Sequence, residues 1–314
     1  PVWWEVLRPA QADPARWGPG LAGLNVRWLE LPTAVLGRTL SGAIRQSRGE
    51  ILVILDDDDV FDPRKLEIVD EVFRSDPELG YFHNNFAIID EKGRLIDPHP
   101  FRAAERRARE RVGFLRVTGP DPWATLRRYP PLAPDFNGSS QSFRRSVVEN
   151  RLDFLERIPQ TVEAFFVLAA VLSGSALALD PRILTFYRIH GLNISTSAHP
   201  SEALAKVRRF TPRAIRGYEE VARMARESAN PAAALEMEEL VRVHRVYAAF
   251  RDAHVSRRTM FRSWRGARQL RDSYTWKAER GVDAAAILYI LWPRVAQHLY
   301  ARQLVARMST STDT

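Results

Sequence analysis

Five consecutive aliphatic residues, Ile51 to Leu55, run without a break into four aspartates, Asp56 to Asp59. An aliphatic run of this length with no polar alternation predicts a central strand covered on both faces, as in a layered α/β sheet. Ligands of open α/β sheets bind at the carboxyl ends of the strands, so the acidic run falls where a site is expected. Four adjacent carboxylates repel one another, and a cation or strong donors must compensate them if they are crowded. A divalent metal does this economically, and hard oxygen ligands favour magnesium, manganese or calcium over zinc. The other reading is a solvated acidic turn, which also suits the dipole of a helix opened by Pro63. An EF-hand loop is excluded: counted from Asp56, its fifth position is Val60 and its sixth Phe61, where an oxygen ligand and a glycine are needed.

Around this run the first 200 residues alternate β-rich segments with helical periodicity, which predicts a mixed α/β sheet with helices on both faces. Strands are predicted at Trp3–Leu7, Val26–Leu31, Tyr81–Ile89, Gln141–Phe143 and Leu184–Ile189, and helices at 33–47, 64–74 and, strongly basic, 102–116. The apolar run 164–179 is too short to span a bilayer, contains Ser173, Gly174 and Ser175, and reads as a buried helix running into a strand. From 201 onward the pattern becomes helical, at 201–228, 231–253, 256–279 and 282–308, with a bend at Pro293. A length of 314 residues suits about two domains, taken as 1–200 and a basic helical 201–314.

Charge follows the same division. Residues 201–314 hold 21 Lys and Arg against 12 Asp and Glu, whereas residues 1–200 hold 25 against 26. The absence of cysteine excludes disulfides, thiolate zinc sites and cysteine nucleophiles, and fits a reducing compartment. The opening Pro1-Val2-Trp3-Trp4-Glu5 is no signal peptide, so a cytoplasmic location is expected. Gly18-Pro19-Gly20-Leu21-Ala22-Gly23 matches a dinucleotide-binding string but is followed by strand-like residues instead of a helix, and reads as a surface turn.

The stretch from Arg48 through Asp56-Asp57-Asp58-Asp59 to Leu66 resembles the DXD region of inverting, nucleotide-sugar-dependent glycosyltransferases of the GT-A fold, family 2 in particular. Tyr187-Arg188-Ile189-His190-Gly191-Leu192-Asn193-Ile194-Ser195 resembles that family's closing motif, in the expected order and about 130 residues on. The resemblance covers roughly residues 1 to 197 and implies a GT-A, Rossmann-like fold. It implies a nucleotide-sugar donor, taken as UDP-linked, with Mg or Mn as cofactor. Asp56 then lies near the ribose and metal, Asp58 is the principal metal ligand, and Asp57 is the variable middle position. His190 either completes the metal or phosphate site or caps the core; Arg188 either faces the diphosphate or lies on the surface.

Inverting transfer also needs a base for the acceptor hydroxyl. The family places it in a Glu-Asp pair about 11 residues before a glycine; here Glu163 stands 11 residues before Gly174, preceded by Val162. Glu163 is the candidate base, with a dipole-stabilising helix-opening Glu as the alternative. The longer side chain shifts the carboxylate by about one methylene, where catalytic positioning tolerates roughly 0.5 Å. Asn137, Gly138 and Ser139 resemble an acceptor-side segment, or form an ordinary turn entering a strand; Tyr81, His83 and Asn84 are placed in the same cleft. Trp4-Glu5-Val6-Leu7 resembles the family's second strand and ends in Arg8-Pro9-Ala10 without acids, so either the sequence is a fragment that lacks the first strand or the nucleotide-base site is built differently.

In the C-terminal region Arg257, Arg258, Arg262, Arg265, Arg268 and Arg271 are interleaved with Met260, Phe261, Trp264, Tyr274 and Trp276. That mixture suits an anionic membrane surface, reached through 256–308 on the inner face, and a glycan or lipid-linked glycan acceptor would make such docking useful. The alternative is a helical subdomain with a solvated arginine face. Nucleic acid is not expected as a partner, because no groove-reading motif accompanies the charge. A competing functional reading keeps the fold without catalysis and leaves the basic helices to bind anionic membrane or nucleic acid.

Overall fold

The computed structural model describes residues 8–9, 30–31, 35–96, 103–126, 128–129, 132–190, 200–251, 256–266 and 281–299. The strand expected at Trp3–Leu7, the Gly18–Gly23 turn and Gly191–Ser195 of the closing motif fall outside these residues, Arg8 and Pro9 excepted. In chain order the strands are β1 (Arg8–Pro9), β2 (Glu30–Leu31), β3 (Ile51–Val53), β4 (Val60–Phe61), β5 (Leu79–Ile89), β6 (Leu115–Val117), β7 (Gln141–Arg144) and β8 (Ala176–Arg188). The longer helices are α1 (Leu36–Gln46), α2 (Lys65–Ser75), α3 (Ala103–Val112), α4 (Glu163–Leu172), α5 (Pro200–Glu227), α6 (Pro231–Arg251), α7 (Arg257–Gly266) and α8 (Gly281–Leu291).

The main sheet is mixed. Its order is β3-β7-β5-β8-β4, with β6 on the same edge of β8 as β4. β5 and β8 run parallel, and the remaining pairs are antiparallel. β1 and β2 form a separate parallel pair, Arg8 opposite Glu30.

Alternation along β5 and β8 sorts side chains to two faces. Phe82, Ala176, Ala178 and Leu184 pack with Ile68, Val69 and Phe73 of α2 on one face. Tyr81, Leu177 and Leu179 pack with Phe165, Phe166 and Leu168 of α4 on the other. This is the expected α/β arrangement with helices on both faces. The second cluster continues into Val221, Met224 and Ala225 of α5 and Met237 and Val241 of α6, so the core crosses the point where the sequence pattern changes.

One expectation is corrected. The aliphatic run is not a fully covered central strand: among the described residues β3 ends the sheet path, Ile51 to Ile54 are half-buried and Leu55 is 50% exposed. The central strand is β5, buried at all eleven positions between β7 and β8. Its interior carries His83, Asn84 and Asn85, so hydropathy hides its place.

The run from Ala164 divides as expected. Helix α4 ends at Leu172, Gly174 takes φ +72°, which a side chain would resist, and β8 begins at Ala176. Farther on, Trp292 lies outside helical geometry between α8 and a helical segment at 293–299, the break expected at Pro293. No described helix is long and apolar enough to cross a membrane.

Candidate active site

Beyond β3 the chain turns through the aspartates. The Ile54 amide still donates to the Gln141 carbonyl at 3.3 Å, and the Asp56 amide then donates to the Ser139 hydroxyl at 2.9 Å. The Asp59 amide closes back onto the Asp56 carbonyl at 3.2 Å. Asp56 and Asp57 are exposed, Asp58 is half-buried and Asp59 is buried. The turn thus presents Asp56 and Asp57 outward, leaves Asp58 partly covered and draws Asp59 in.

The end of β8 holds this turn from the other side. The Arg188 amide donates to Asp59 Oδ1 at 2.9 Å, and its Nε donates to the Asp58 carbonyl at 2.7 Å. Arg188 Nη1 reaches the carbonyls of Asp90 and Glu91 at 3.0 and 3.1 Å. His190 Nε2 stands 2.9 Å from Asp58 Oδ2, pairing residues 132 positions apart. His190 thus lies on Asp58, while the Arg188 guanidinium braces the acidic turn against the turn after β5.

Asn137, Gly138 and Ser139 lie beneath the aspartates. Asn137 has φ +66°, its Oδ1 accepts from the Ser139 amide at 3.2 Å, and its Nδ2 donates to the Ser140 hydroxyl at 3.2 Å. A Cβ on Gly138 would sit 3.7 Å from Asp56 Oδ2. All three residues are buried, so their direct contact with an acceptor gives way to a supporting role under Asp56. Tyr81, His83 and Asn84 are likewise wholly buried and line no open cleft. Tyr81 donates to the Pro134 carbonyl at 2.6 Å, and His83 is held between the Phe136 carbonyl at 2.6 Å and Arg109 Nη1 at 3.0 Å.

Sequence reasoning missed Lys65 and Asp59. Lys65 is fully buried at the start of α2; its ammonium donates to the Ser139 carbonyl and, at 2.9 Å, to the Thr185 hydroxyl. It also lies 3.8 Å from the centroid of the Phe61 ring. Burial lowers the Lys65 ammonium well below its ordinary range, and the Asp59 charge opposes that shift. A signal existed: a lysine in the first turn of a helix opposes the dipole and needs an acceptor nearby. Asp59 is pushed up to about 6 by burial, against the pull of the Ser139 hydroxyl, the Arg188 amide and the Lys65 charge. The Ser139 hydroxyl favours the charged form without a well-formed bond to Asp59 Oδ2, which has no hydrogen-bond partner among the described residues.

Glu163 opens α4, and Gln141 of β7 donates to its carbonyl at 3.4 Å. Burial pushes its carboxyl up to about 7, countered by its own backbone N–H and reinforced by the negative charge of Asp135. Asp56 is pushed up to about 8 by removal from bulk solvent, then by the charge of Glu163, then by Asp59, Asp58 and Asp57. Asp56 stays reachable by solvent, so carboxylate crowding is the firmer cause. The repulsion between Asp56 and Glu163 belongs to both, and it raises whichever group ionises second. The fold therefore brings together Asp56, Asp58, His190 and the electrostatic reach of Glu163.

A divalent cation fits this chemistry in part. Asp56 and Asp58 supply hard oxygens at a crowded negative site, and the His190 imidazole lies on Asp58. Among the described residues no three His, Asp or Glu side chains converge as a ready-made metal cage.

Comparison with known proteins bears on this arrangement. Residues 21–152 match the family model described as Glycosyl transferase family 2. A curated relative, the uncharacterized glycosyltransferase alr2836 of Nostoc sp. (strain PCC 7120), is 26% identical over 174 residues, 54% of this chain. Residues 21–152 thus resemble glycosyltransferases of family 2. This family-2-like segment contains Asp56 to Asp59 and Asn137 to Ser139; Glu163, Arg188 and His190 lie beyond it. The match to the Nostoc protein covers 49% of that protein, so the chain spans about half the length of the curated relative. Among solved structures, S. aureus TarS 1-349 in complex with UDP-GlcNAc aligns with 95% of this chain and 82% of its own, at 14% identity and TM-score 0.47. The mannosyltransferase PcManGT from Pyrobaculum calidifontis, in complex with GDP-Man and Mn2+, aligns with 92% of this chain and 78% of its own, at 18% identity and TM-score 0.46.

Proposed function

We propose that the chain transfers a sugar from a nucleotide-sugar donor, UDP-linked, to an acceptor hydroxyl of a glycan or lipid-linked glycan, with inversion. The observation that carries this reading is the acidic turn at the carboxyl end of β3, where His190 Nε2 stands 2.9 Å from Asp58 Oδ2 and the charge of Glu163, at the head of α4, reaches Asp56. A general base works best with a pKa near the operating pH, and Glu163 at about 7 meets that condition. Glu163 takes the proton of the acceptor hydroxyl as its oxygen bonds to the anomeric carbon. The bond from that carbon to the diphosphate oxygen breaks, and its electron pair leaves on the diphosphate.

Asp56 and Asp58, with His190, would hold a Mg or Mn ion, whose chemistry is to stabilise the charge growing on the leaving diphosphate. Arg188 fixes the turn that carries Asp58, while Asn137, Gly138 and Ser139 support Asp56 from below. Asp57 is exposed at the donor side of the same turn. The acceptor side extends to a peripheral contact of α7 and α8 with an anionic membrane, on its cytoplasmic face.

The reading is tested by UDP release from UDP-glucose, UDP-galactose and UDP-N-acetylglucosamine with Mn2+ and a set of glycan acceptors. Asp58→Ala is expected to abolish release and UDP binding while leaving the melting transition in place. Glu163→Gln is expected to keep UDP binding and lose transfer by at least about 100-fold, the usual scale of a lost general base. Unchanged turnover in either variant argues against the assignment, and a product that retains the donor's anomeric configuration removes the single displacement.

A further inference from the structure

Glu163 is delivered by a short connection, residues 156–162, that links the helical turn Leu152–Leu155 to α4. Two glycines on different helices press against it. Gly37 of α1 donates its amide to the Ile158 carbonyl at 3.0 Å, and a Cβ there would fall 1.8 Å from the Leu155 oxygen. Gly217 of α5 lies on the other contact: a Cβ there would fall 2.4 Å from the Gln160 carbonyl oxygen and 2.9 Å from the Thr161 hydroxyl. Thr161, two residues before Glu163, is held at φ +61°, in the left-handed region that a β-branched residue resists. Its hydroxyl bonds the Gln160 carbonyl at 2.5 Å and reaches the Ala214 carbonyl of α5 at 3.5 Å.

The strained backbone and the close approach of α5 thus meet at one place, immediately before the proposed base. We infer that Gly217 is a positioning residue for Glu163, and that α5 of the C-terminal helical region sets where the carboxylate stands. The inference rests on the reading of Glu163 as the base. An added methyl at 217 must displace the Gln160 carbonyl by roughly half an ångström or more, the scale on which catalytic groups lose alignment. The donor site on Asp56 and Asp58 is built by β3, β7 and β8 and does not share this contact.

The test compares Gly217→Ala with the full-length wild type in the UDP-sugar assay, with UDP and Mn2+ binding followed separately by calorimetry. Expected is a fall in kcat of about 10- to 100-fold, as for a small misplacement of a reacting group, with donor KM and UDP affinity within about twofold. A merely structural role would lower the melting temperature and leave kcat of the folded fraction unchanged, and that result overturns the inference. Should Gly217→Ala fail to fold, Thr161→Gly removes the hydroxyl that lies against Gly217 and Ala214, together with the strained φ. Loss of kcat at constant KM in that variant supports the inference, and full kcat overturns it. Inactive Glu163→Gln beside fully active Gly217→Ala overturns this inference alone. Full transfer by Glu163→Gln, or a wild type that turns over no donor, removes the base reading and the inference with it.

Discussion

Asp56 and Glu163 show how a site forms from residues that are unremarkable alone. The sequence marks both as candidates but not their shifts, which arise because burial pushes up Glu163, and burial together with the Glu163 charge pushes up Asp56. The consequence for stability has a definite sign. Glu163 ionises near 4.5 when unfolded and near 7 when folded, so between those values the folded chain holds the extra proton. Stability then falls as pH rises through that window, by up to about 3 kcal/mol once both states are ionised. Glu163→Gln is therefore expected to be nearly neutral in stability at pH 4.5 and stabilising by about 1–3 kcal/mol at pH 8 in metal-free protein, as read from urea denaturation. An equal effect at both pH values would show that the carboxyl is not held protonated. The candidate base was legible because its distance to Gly174 could be counted, and Asp58 with His190 because both stand in recognisable motifs. Lys65 and Asp59 were not, since their importance lies in a burial that the local sequence does not state.

At the level of elements, boundaries follow from caps and breakers, whereas depth does not. The ends of α2, α4 and β8 fall within a residue or two of where Pro63 and Gly174 place them. The rank of the strands was misread, because aliphatic content points to β3 while β5, with its polar centre, lies at the middle of the sheet. What lets β5 bury polar groups is a set of partners from distant elements: Arg109 of α3 on His83, and Thr185 of β8 on Asn84 at 3.0 Å. Lys65 performs the corresponding task between α2, β8 and the turn at Ser139. Lys65→Met would leave the Ser139 carbonyl without the ammonium and Asp59 without a charge that opposes its own. The expected loss is about 1–3 kcal/mol in denaturant unfolding, the cost of leaving buried polar groups unsatisfied. UDP affinity should weaken as well, because Ser139 also supports the Asp56 amide. A variant as stable as wild type would mean that Thr185, which bonds the Ser139 carbonyl at 3.0 Å, carries the contact alone.

Over the whole molecule, α5 and α6 complete the core around α4, while α7 and α8 build a cluster of their own with Val243, Val246, Met260, Ala286, Tyr289 and Ala296. The inner faces of those last helices are thus accounted for, and the rest of their apolar content is not. Ile287, Leu291, Trp292, Val295 and Leu299 are exposed along α8 and the segment after it, as is Phe261 on α7. Arg257, Arg258, Arg262 and Arg265 are exposed on α7, and Arg294 on the segment after α8. Apolar groups at a water-facing surface together with arginines suit the boundary of an anionic bilayer, where side chains enter the acyl region and guanidinium groups meet phosphates. Such binding needs both components. Sedimentation with vesicles is expected to recover the protein on phosphatidylglycerol-containing membranes and not on pure phosphatidylcholine, and to weaken at high salt as the charges are screened. Leu291→Glu combined with Trp292→Glu should abolish sedimentation while preserving the melting temperature, because neither side chain contributes to the core. Recovery that ignores lipid charge would assign the arginines to a solvated face. Self-association that the double substitution abolishes, without vesicle binding, would make the apolar stripe a contact between copies of the chain.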